Sequence, residues 1–350
     1  MSRPSRNPWH RWGPSLALAL GLAAAALAAQ AQTAPAAVPE IPVEEFFRKP
    51  SYQGMVMSPD QKLVAALVPA NGRQNLTILD LEKRSASRIT DLKTTDVSRV
   101  LWANNRRLLF TTGDQQGKEF RGSGGLFAVD IDGKNGRTLV EPFASSSSVR
   151  LVPRLTTPLK RIKGSDTEVL VTANDRSVDT LDVYRMNVQT GRKTIVNANS
   201  PGRVISWVLD GDDQPRAAIS IDPKKLRWWF SYRGADGGPW KTLSEWGPDL
   251  KNVILPLAFD PAEPGKMFVA SNVGRDTLAL YQFDPATGKL GEAIFADSRH
   301  DIASFLLIGS PLGEGGRLLF GGSDDEPGKL IGIRYQADKL NTVWFDEEAA

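Results

Sequence analysis

From about residue 53 onward the chain is written in short apolar runs separated by Gly, Asp, Asn and Pro, and no long segment spaces its apolar residues at the 3.6-residue period of a helix. One set of runs recurs at residues 63–67, 108–110, 169–171, 217–219, 267–269 and 318–320, at intervals of roughly 50 residues. Each is followed by a second run, at 76–79, 126–129, 183–186, 228–232, 278–283 and 330–335. A third, shorter run follows at 88–90, 138–140, 194–196, 241–243, 293–295 and 342–344. Another apolar run precedes members of the first set, as at 97–102, 204–208 and 254–258, so the repeating unit has four strands. Six such units in series predict an all-β fold, a β-propeller of four-stranded blades over residues 53–350, in preference to a two-sheet sandwich. The widest interval contains the serines at 145–148 and reads as an insertion.

The segments between runs carry turn chemistry. Asn71-Gly72, Asp132-Gly133, Thr190-Gly191, Asp210-Gly211 and Thr287-Gly288 place residues that tolerate positive φ between predicted strands.

The first residues follow a different logic. Arg3, Arg6 and Arg11 precede an Ala/Leu-rich run at 16–29 and a small-residue Ala29-Gln30-Ala31 pattern, so residues 1–31 read as a signal peptide. That apolar run falls short of the ~20 residues that span a bilayer, and no membrane association is expected after cleavage. Residues 32–52 form an Ala/Pro-rich lead-in ending in polar and aromatic text, and the expected location is periplasmic or secreted. The whole chain carries 43 Lys and Arg against 40 Asp and Glu. The leader removes three arginines and no acid, so the remainder is formally neutral and no nucleic-acid partner is expected. Cysteine is absent, which excludes disulfides, thiolate nucleophiles and Cys-ligated metals. Of the two histidines, His10 lies in the leader, leaving His300.

Several stretches carry a family likeness: Ile41-Pro42-Val43-Glu44-Glu45-Phe46-Phe47, Met57-Ser58-Pro59-Asp60, the segment from Trp102 to Phe110, Asp210-Gly211-Asp212-Asp213-Gln214-Pro215-Arg216, and the segment from Leu330 to Asp346. In order and spacing they resemble the N-terminal propeller of the prolyl oligopeptidase family, which includes bacterial dipeptidyl and acyl-aminoacyl peptidases. The resemblance covers nearly all of the chain after the leader. It implies a seven-bladed propeller followed by an α/β-hydrolase domain, with the propeller limiting which peptides reach the active site. Six units are visible before the sequence stops at Ala350. The expectation is therefore an incomplete propeller without its catalytic domain, meeting peptide substrate through that missing hydrolase domain.

The sequence assigns no catalytic, cofactor-binding or metal-ligating residue, and no cofactor is expected. A serine peptidase of this kind needs a nucleophile elbow, G-x-S-x-G, with a histidine base and an orienting acid. The sequence contains no such elbow, and Gly122-Ser123-Gly124-Gly125 and Gly321-Gly322-Ser323-Asp324 read as loops. His300 has Ser298 and Asp301 nearby but reads as a surface histidine between blades. Asp130-Ile131-Asp132-Gly133-Lys134-Asn135 superficially matches a calcium loop, yet Asn135 occupies the position where the sharp turn needs Gly, so a strand-connecting turn is expected. Trp228, Trp229, Phe230, Tyr232 and Arg233 lie in one predicted strand, where alternation sends about half of them into packing between blades. Glu44 and Glu45 read as a solvated pair, and Asn75-Leu76-Thr77, a formal glycosylation acceptor, is given no role. The alternatives are a self-contained periplasmic scaffold propeller resembling TolB, and a six-bladed lactonase-like metal-dependent hydrolase.

Overall fold

The computed structural model describes residues 42, 51–114, 121–142, 155–197, 199–304, 316–323 and 325–350, with backbone alone for 121–124. The signal peptide, nearly all of the lead-in with Glu44 and Glu45, and the serines of the insertion lie outside the described residues. The strands are β1 (Gln53–Met57), β2 (Leu63–Ala70), β3 (Arg73–Asp80) and β4 (Ser85–Arg88), then β5 (Asp96–Trp102), β6 (Arg107–Asp114), β7 (Arg121–Asp130) and β8 (Arg137–Val140). A third group is β9 (Thr156–Arg161), β10 (Glu168–Ala173), β11 (Asp182–Asn187) and β12 (Lys193–Ile195), and a fourth is β13 (Val204–Leu209), β14 (Pro215–Asp222), β15 (Arg227–Tyr232) and β16 (Lys241–Trp246). The last two are β17 (Ile254–Phe259), β18 (Met267–Ser271), β19 (Ala279–Asp284) and β20 (Lys289–Phe295), and β21 (Arg317–Gly322), β22 (Pro327–Gln336) and β23 (Leu340–Trp344).

Each group pairs antiparallel in sequence order, giving five four-stranded sheets and a sixth with three strands among the described residues. The six sheets follow one another as the blades of a β-propeller, and no helix occurs among the described residues.

Packing between blades explains why the second-strand runs are continuously apolar where a one-sided sheet would alternate. Leu108 and Phe110 face the first blade, in a cluster with Leu67, Leu76, Ile78 and Trp102. Their neighbour Leu109 faces the third, with Val169, Val171 and Met186. Leu170 in turn packs with Trp207 and Ala218 of the fourth blade. Ala217 and Ile219 turn the other way, into a cluster with Phe230, Leu255 and Phe283 that continues to Ile333 in the sixth blade. Both faces of an inner sheet are therefore buried, and each large side chain there is worth ~1.5–3 kcal/mol. Two indoles add polar fasteners between blades: Trp102 Nε1 donates to the Val56 carbonyl at 2.9 Å, and Trp207 Nε1 to that of Leu181 at 2.8 Å.

The crossovers from one blade to the next are pegged by short acceptors. Asp96 Oδ1 accepts from the Gln74 backbone N–H at 2.7 Å, Asn197 Oδ1 from that of Val183 at 2.6 Å, and Asp301 Oδ1 from that of Leu278 at 2.7 Å. In each case an Asx on the way out of a blade grips the beginning of that blade's third strand. The Asn71-Gly72 turn has φ of 54° and 74°, the left-handed pair that a two-residue hairpin requires.

Two expectations shift. The sequence pattern puts the third run of the first blade at 88–90, but β4 ends at Arg88 and its residues are exposed. Ile89 instead enters the core between the first two blades, while Thr90 Oγ1 accepts from the Leu76 N–H at 2.8 Å. The fourth strand gives way there because Asn75, fully buried, captures the chain: its Oδ1 accepts from Leu92 N–H at 2.7 Å and Thr90 Oγ1 at 2.9 Å, and its Nδ2 donates to the Leu92 carbonyl at 3.1 Å. In the sixth unit the pattern puts residues 318–320 in a second strand, but β21 takes the place of a first strand among the described residues. Gly316 rests against Ala303 at the crossover, and Gly322 lies beside Val56, Met57 and Ser58 at the far end.

Asn75→Ala should lower the unfolding free energy by about 1–3 kcal/mol, since the Leu92 and Thr90 groups lose a buried partner; a shift of the denaturant midpoint at constant slope checks it. Asp284 is held down to about 2, chiefly by the hydrogen bond from Lys266 Nζ at 2.8 Å and then by the Thr287 and Ala286 backbone N–H groups. A carboxyl depressed in the folded state contributes stability above its unfolded value near 3.8, and that contribution drains away as pH falls toward 2. Asp284→Asn should flatten the stability–pH curve across that interval, measured by thermal melts.

Candidate functional site

The turns that follow the first strands meet at one mouth of the propeller axis. A cavity of about 440 Å³ there is bounded by Met57, Ser58, Trp102, Arg161, Gly322 and Asp325. A second, of about 560 Å³, is bounded by Arg161, Asp213, Tyr232, Phe259, Phe320 and Asp325. Lys160, Arg161 and Asp325 line both, so they form the wall between them.

That wall is a set of ion pairs. Arg161 Nη2 lies 2.7 Å from Asp325 Oδ1, and Lys163 Nζ lies 2.7 Å from Glu326 Oε1. The third and sixth blades stand three places apart in a six-bladed series, so these contacts cross the axis. Beside them Lys160 Nζ meets Asp213 Oδ1 at 2.5 Å, an ion pair without hydrogen-bond alignment. Arg216 donates through Nε to Asp210 Oδ2 and through Nη1 to the Gly234 carbonyl, both at 2.9 Å.

Local sequence sets each element of the mouth. Asp210 Oδ1 accepts from the backbone of Asp212 at 2.9 Å and Gln214 at 2.8 Å, an Asx turn that presents Asp213 at φ 61°. The β21–β22 hairpin tip closes through reciprocal Ser323 and Glu326 backbone bonds at 3.2 Å. Gly322 has φ of 83°, and a Cβ there would stand 2.4 Å from the Glu326 carbonyl oxygen, so only glycine allows this tip. The Lys163 ammonium beside it lowers the Glu326 carboxyl and is itself raised, whereas burial raises the Tyr232 phenol.

A larger cavity of about 800 Å³ lies at the junction of the second and third blades, beside Arg107 and Asp130. Those charges are already spent on structure: Arg107 reaches Asp130 Oδ1 at 2.6 Å and the Val188 carbonyl at 3.0 Å. The axial mouth, where charged and aromatic groups from five blades converge, is the better candidate.

The residues weighed in sequence fall elsewhere. His300 Nδ1 faces Asp297 Oδ1 at 3.3 Å, while Asp301 spends its carboxylate on the Leu278 N–H. Asp297 is held well below the usual carboxylate range by the Arg299 backbone N–H and then by Tyr335 Oη at 2.8 Å, which makes it a junction peg. Gly122, Ser123, Gly124 and Gly125 belong to β7 and not to a loop, since Gly122 pairs with Gly113 beside a bulge that small residues accommodate. Asp130 and Asn135 close a tight turn, with Asn135 Nδ2 donating to Asp130 Oδ2 at 2.7 Å. Trp228, Phe230 and Tyr232 pack toward the fifth blade, and Arg233 lies over the Trp240 ring, 5.9 Å from its centroid. Among the described residues no three His, Asp or Glu side chains group as metal ligands would.

Sequence reasoning missed Arg161, Lys163, Asp325 and Glu326. Their one signal was opposite charge at two turn positions, and Lys163 and Glu326 are 163 residues apart.

A β-propeller, with six blades among the described residues and a charged axial mouth, defines the class, and the likeness to the propellers of prolyl-oligopeptidase-type peptidases is borne out by a relative. The chain is 25% identical over 289 residues to dipeptidyl aminopeptidase BIII of Pseudoxanthomonas mexicana, an alignment covering 79% of this chain and 38% of that protein. No protein-family model matches. Among solved structures, an oligogalacturonate lyase in complex with manganese superposes with a TM-score of 0.52 at 11% identity, over 86% of this chain and 79% of that one, a likeness of fold. An acylaminoacyl peptidase of Pyrococcus horikoshii gives a TM-score of 0.47 at 13% identity, over 85% of this chain and 44% of that one.

Carbodiimide activates carboxylates and joins them without a spacer to amines in contact, so it should couple Lys163 to Glu326 within one chain. Mass spectrometry of the digest should find that linked peptide pair, and Glu326→Gln should abolish it.

Proposed function

We propose that this chain is the propeller part of an exported prolyl-oligopeptidase-type peptidase, and that its axial mouth sorts peptides on their way to a catalytic domain. The observation that carries this reading is the alignment with a dipeptidyl aminopeptidase, which takes in most of this chain but 38% of the relative. A propeller segment aligned with part of a peptidase contributes selection of substrate, and bond breaking belongs to the remainder.

The chemistry of the mouth supports the reading. A peptide offers amide donors and acceptors, charged ends and apolar side chains. The 560 Å³ cavity offers ring faces from Tyr232, Phe259 and Phe320 beside cations and carboxylates of both signs. The ion-paired wall narrows the opening, so a short flexible chain enters where a folded domain is excluded. The signal-like residues 1–31 direct the protein to the periplasm or outside the cell, which suits degradation of extracytoplasmic peptides.

Binding of fluorescent tetrapeptides to the full chain, followed by anisotropy, tests the reading. Phe259→Ala should weaken binding roughly tenfold, the loss expected for an aromatic anchor. Tight binding of an oligogalacturonate with no peptide binding would overturn the reading and favour a carbohydrate-handling propeller.

A further inference from the structure

Arg161 is the most buried cation of the mouth, with 12% of its side chain exposed. Its partner is incomplete. Asp325 engages Nη2 through one oxygen, while Nε on the same edge of the guanidinium is buried and has no hydrogen-bond partner. Two parallel donors on one edge fit both oxygens of a carboxylate, and the paired geometry is stronger than a single contact. A buried donor left unmade costs free energy, so the site as it stands favours an acceptor that reaches both nitrogens.

Asp325 is placed to yield. A third of its side chain is exposed, and it rides on a hairpin tip whose strand ends in Gly321 and Gly322, so the carboxylate can return to water without unfolding its blade. Both cavities open onto the contact, and aromatic rings flank it on one side.

We propose that Arg161 is a receptor for the carboxylate of an incoming peptide, and that Asp325 is an internal placeholder which the ligand displaces. The exchange conserves charge at a buried guanidinium, so the cation is never left unpaired. It adds a terminus or side-chain preference to the mouth and rests on the reading of that mouth as a passage for peptides. Displacement also opens the wall between the two cavities, which couples entry of an acidic ligand to widening of the passage.

The test measures anisotropy of the labelled tetrapeptide Ala-Pro-Ala-Phe as free acid and as C-terminal amide, and of the amide of Ala-Glu-Ala-Phe, on the full chain. The unaltered protein should bind the free acid several-fold more tightly than its amide, a comparison that needs no variant to fold. Asp325→Asn should tighten the free acid about tenfold, and Arg161→Gln should remove the preference for it. If the glutamyl amide binds like the free acid, the carboxylate is accepted from a side chain; if it binds like the plain amide, the terminus is read. Either result supports the receptor. Equal binding of acid and both amides overturns the receptor while leaving peptide passage intact, and no binding of any peptide overturns both.

Discussion

Among the described residues no strand is shared between blades. Every sheet is built from consecutive strands, so the ladder hydrogen bonds stabilise each blade by itself, and a backbone bond from Leu181 N–H to the Val204 carbonyl at 2.8 Å ties the third blade to the fourth. Cohesion from blade to blade therefore falls mainly to side chains: the apolar layers between sheets, two indole donors reaching neighbouring carbonyls, and ion pairs that cross the axis. The ion pairs are not equivalent. Lys163 and Glu326 are largely solvated and hold each other weakly, whereas Arg161 is mostly desolvated and must keep a negative partner.

That requirement joins architecture to chemistry. Strand ends fixed by inter-blade packing carry short turns, and the turns present the charges, which is the usual division between rigid scaffold and working loop. Asp210 shapes the turn that offers Asp213, and Gly322 shapes the one that offers Asp325. The same contacts that span the axis also divide the space around it. A group able to satisfy Arg161 better than Asp325 does acts at once on binding and on the width of the passage.

Much of the fold was legible because burial on both faces leaves a direct trace in sequence. The second-strand runs at 63–67, 169–171 and 267–269 fall inside β2, β10 and β18, and the turn pairs fall between strands. The displaced strand of the first blade shows the limit: Ile89 is as apolar as any strand residue, but Asn75 withdraws the chain from the ladder through side-chain bonds that no periodicity records. The sixth blade shows another, since residues 318–320 have the composition of a second strand and take the place of a first. The pairing that decides this is a tertiary choice. The candidate site was scarcely legible. His300 drew notice as the one histidine beyond the leader, yet its ring serves a junction peg, while the charges at the mouth looked like ordinary turn residues.

The sequence by itself determined the four-strand repeat, the positions of most strands and turns, the exclusion of thiol chemistry, and the likeness to peptidase propellers. These follow from local pattern and composition, which act along the chain. Only the tertiary structure decided that Arg161 faces Asp325 across the axis, that Asn75 is a buried clasp, and that Arg161 keeps an unmet donor between two cavities. The reason is geometric: setting blades around one axis brings turns from distant repeats to one point, and no rule of spacing along the chain encodes which of them meet.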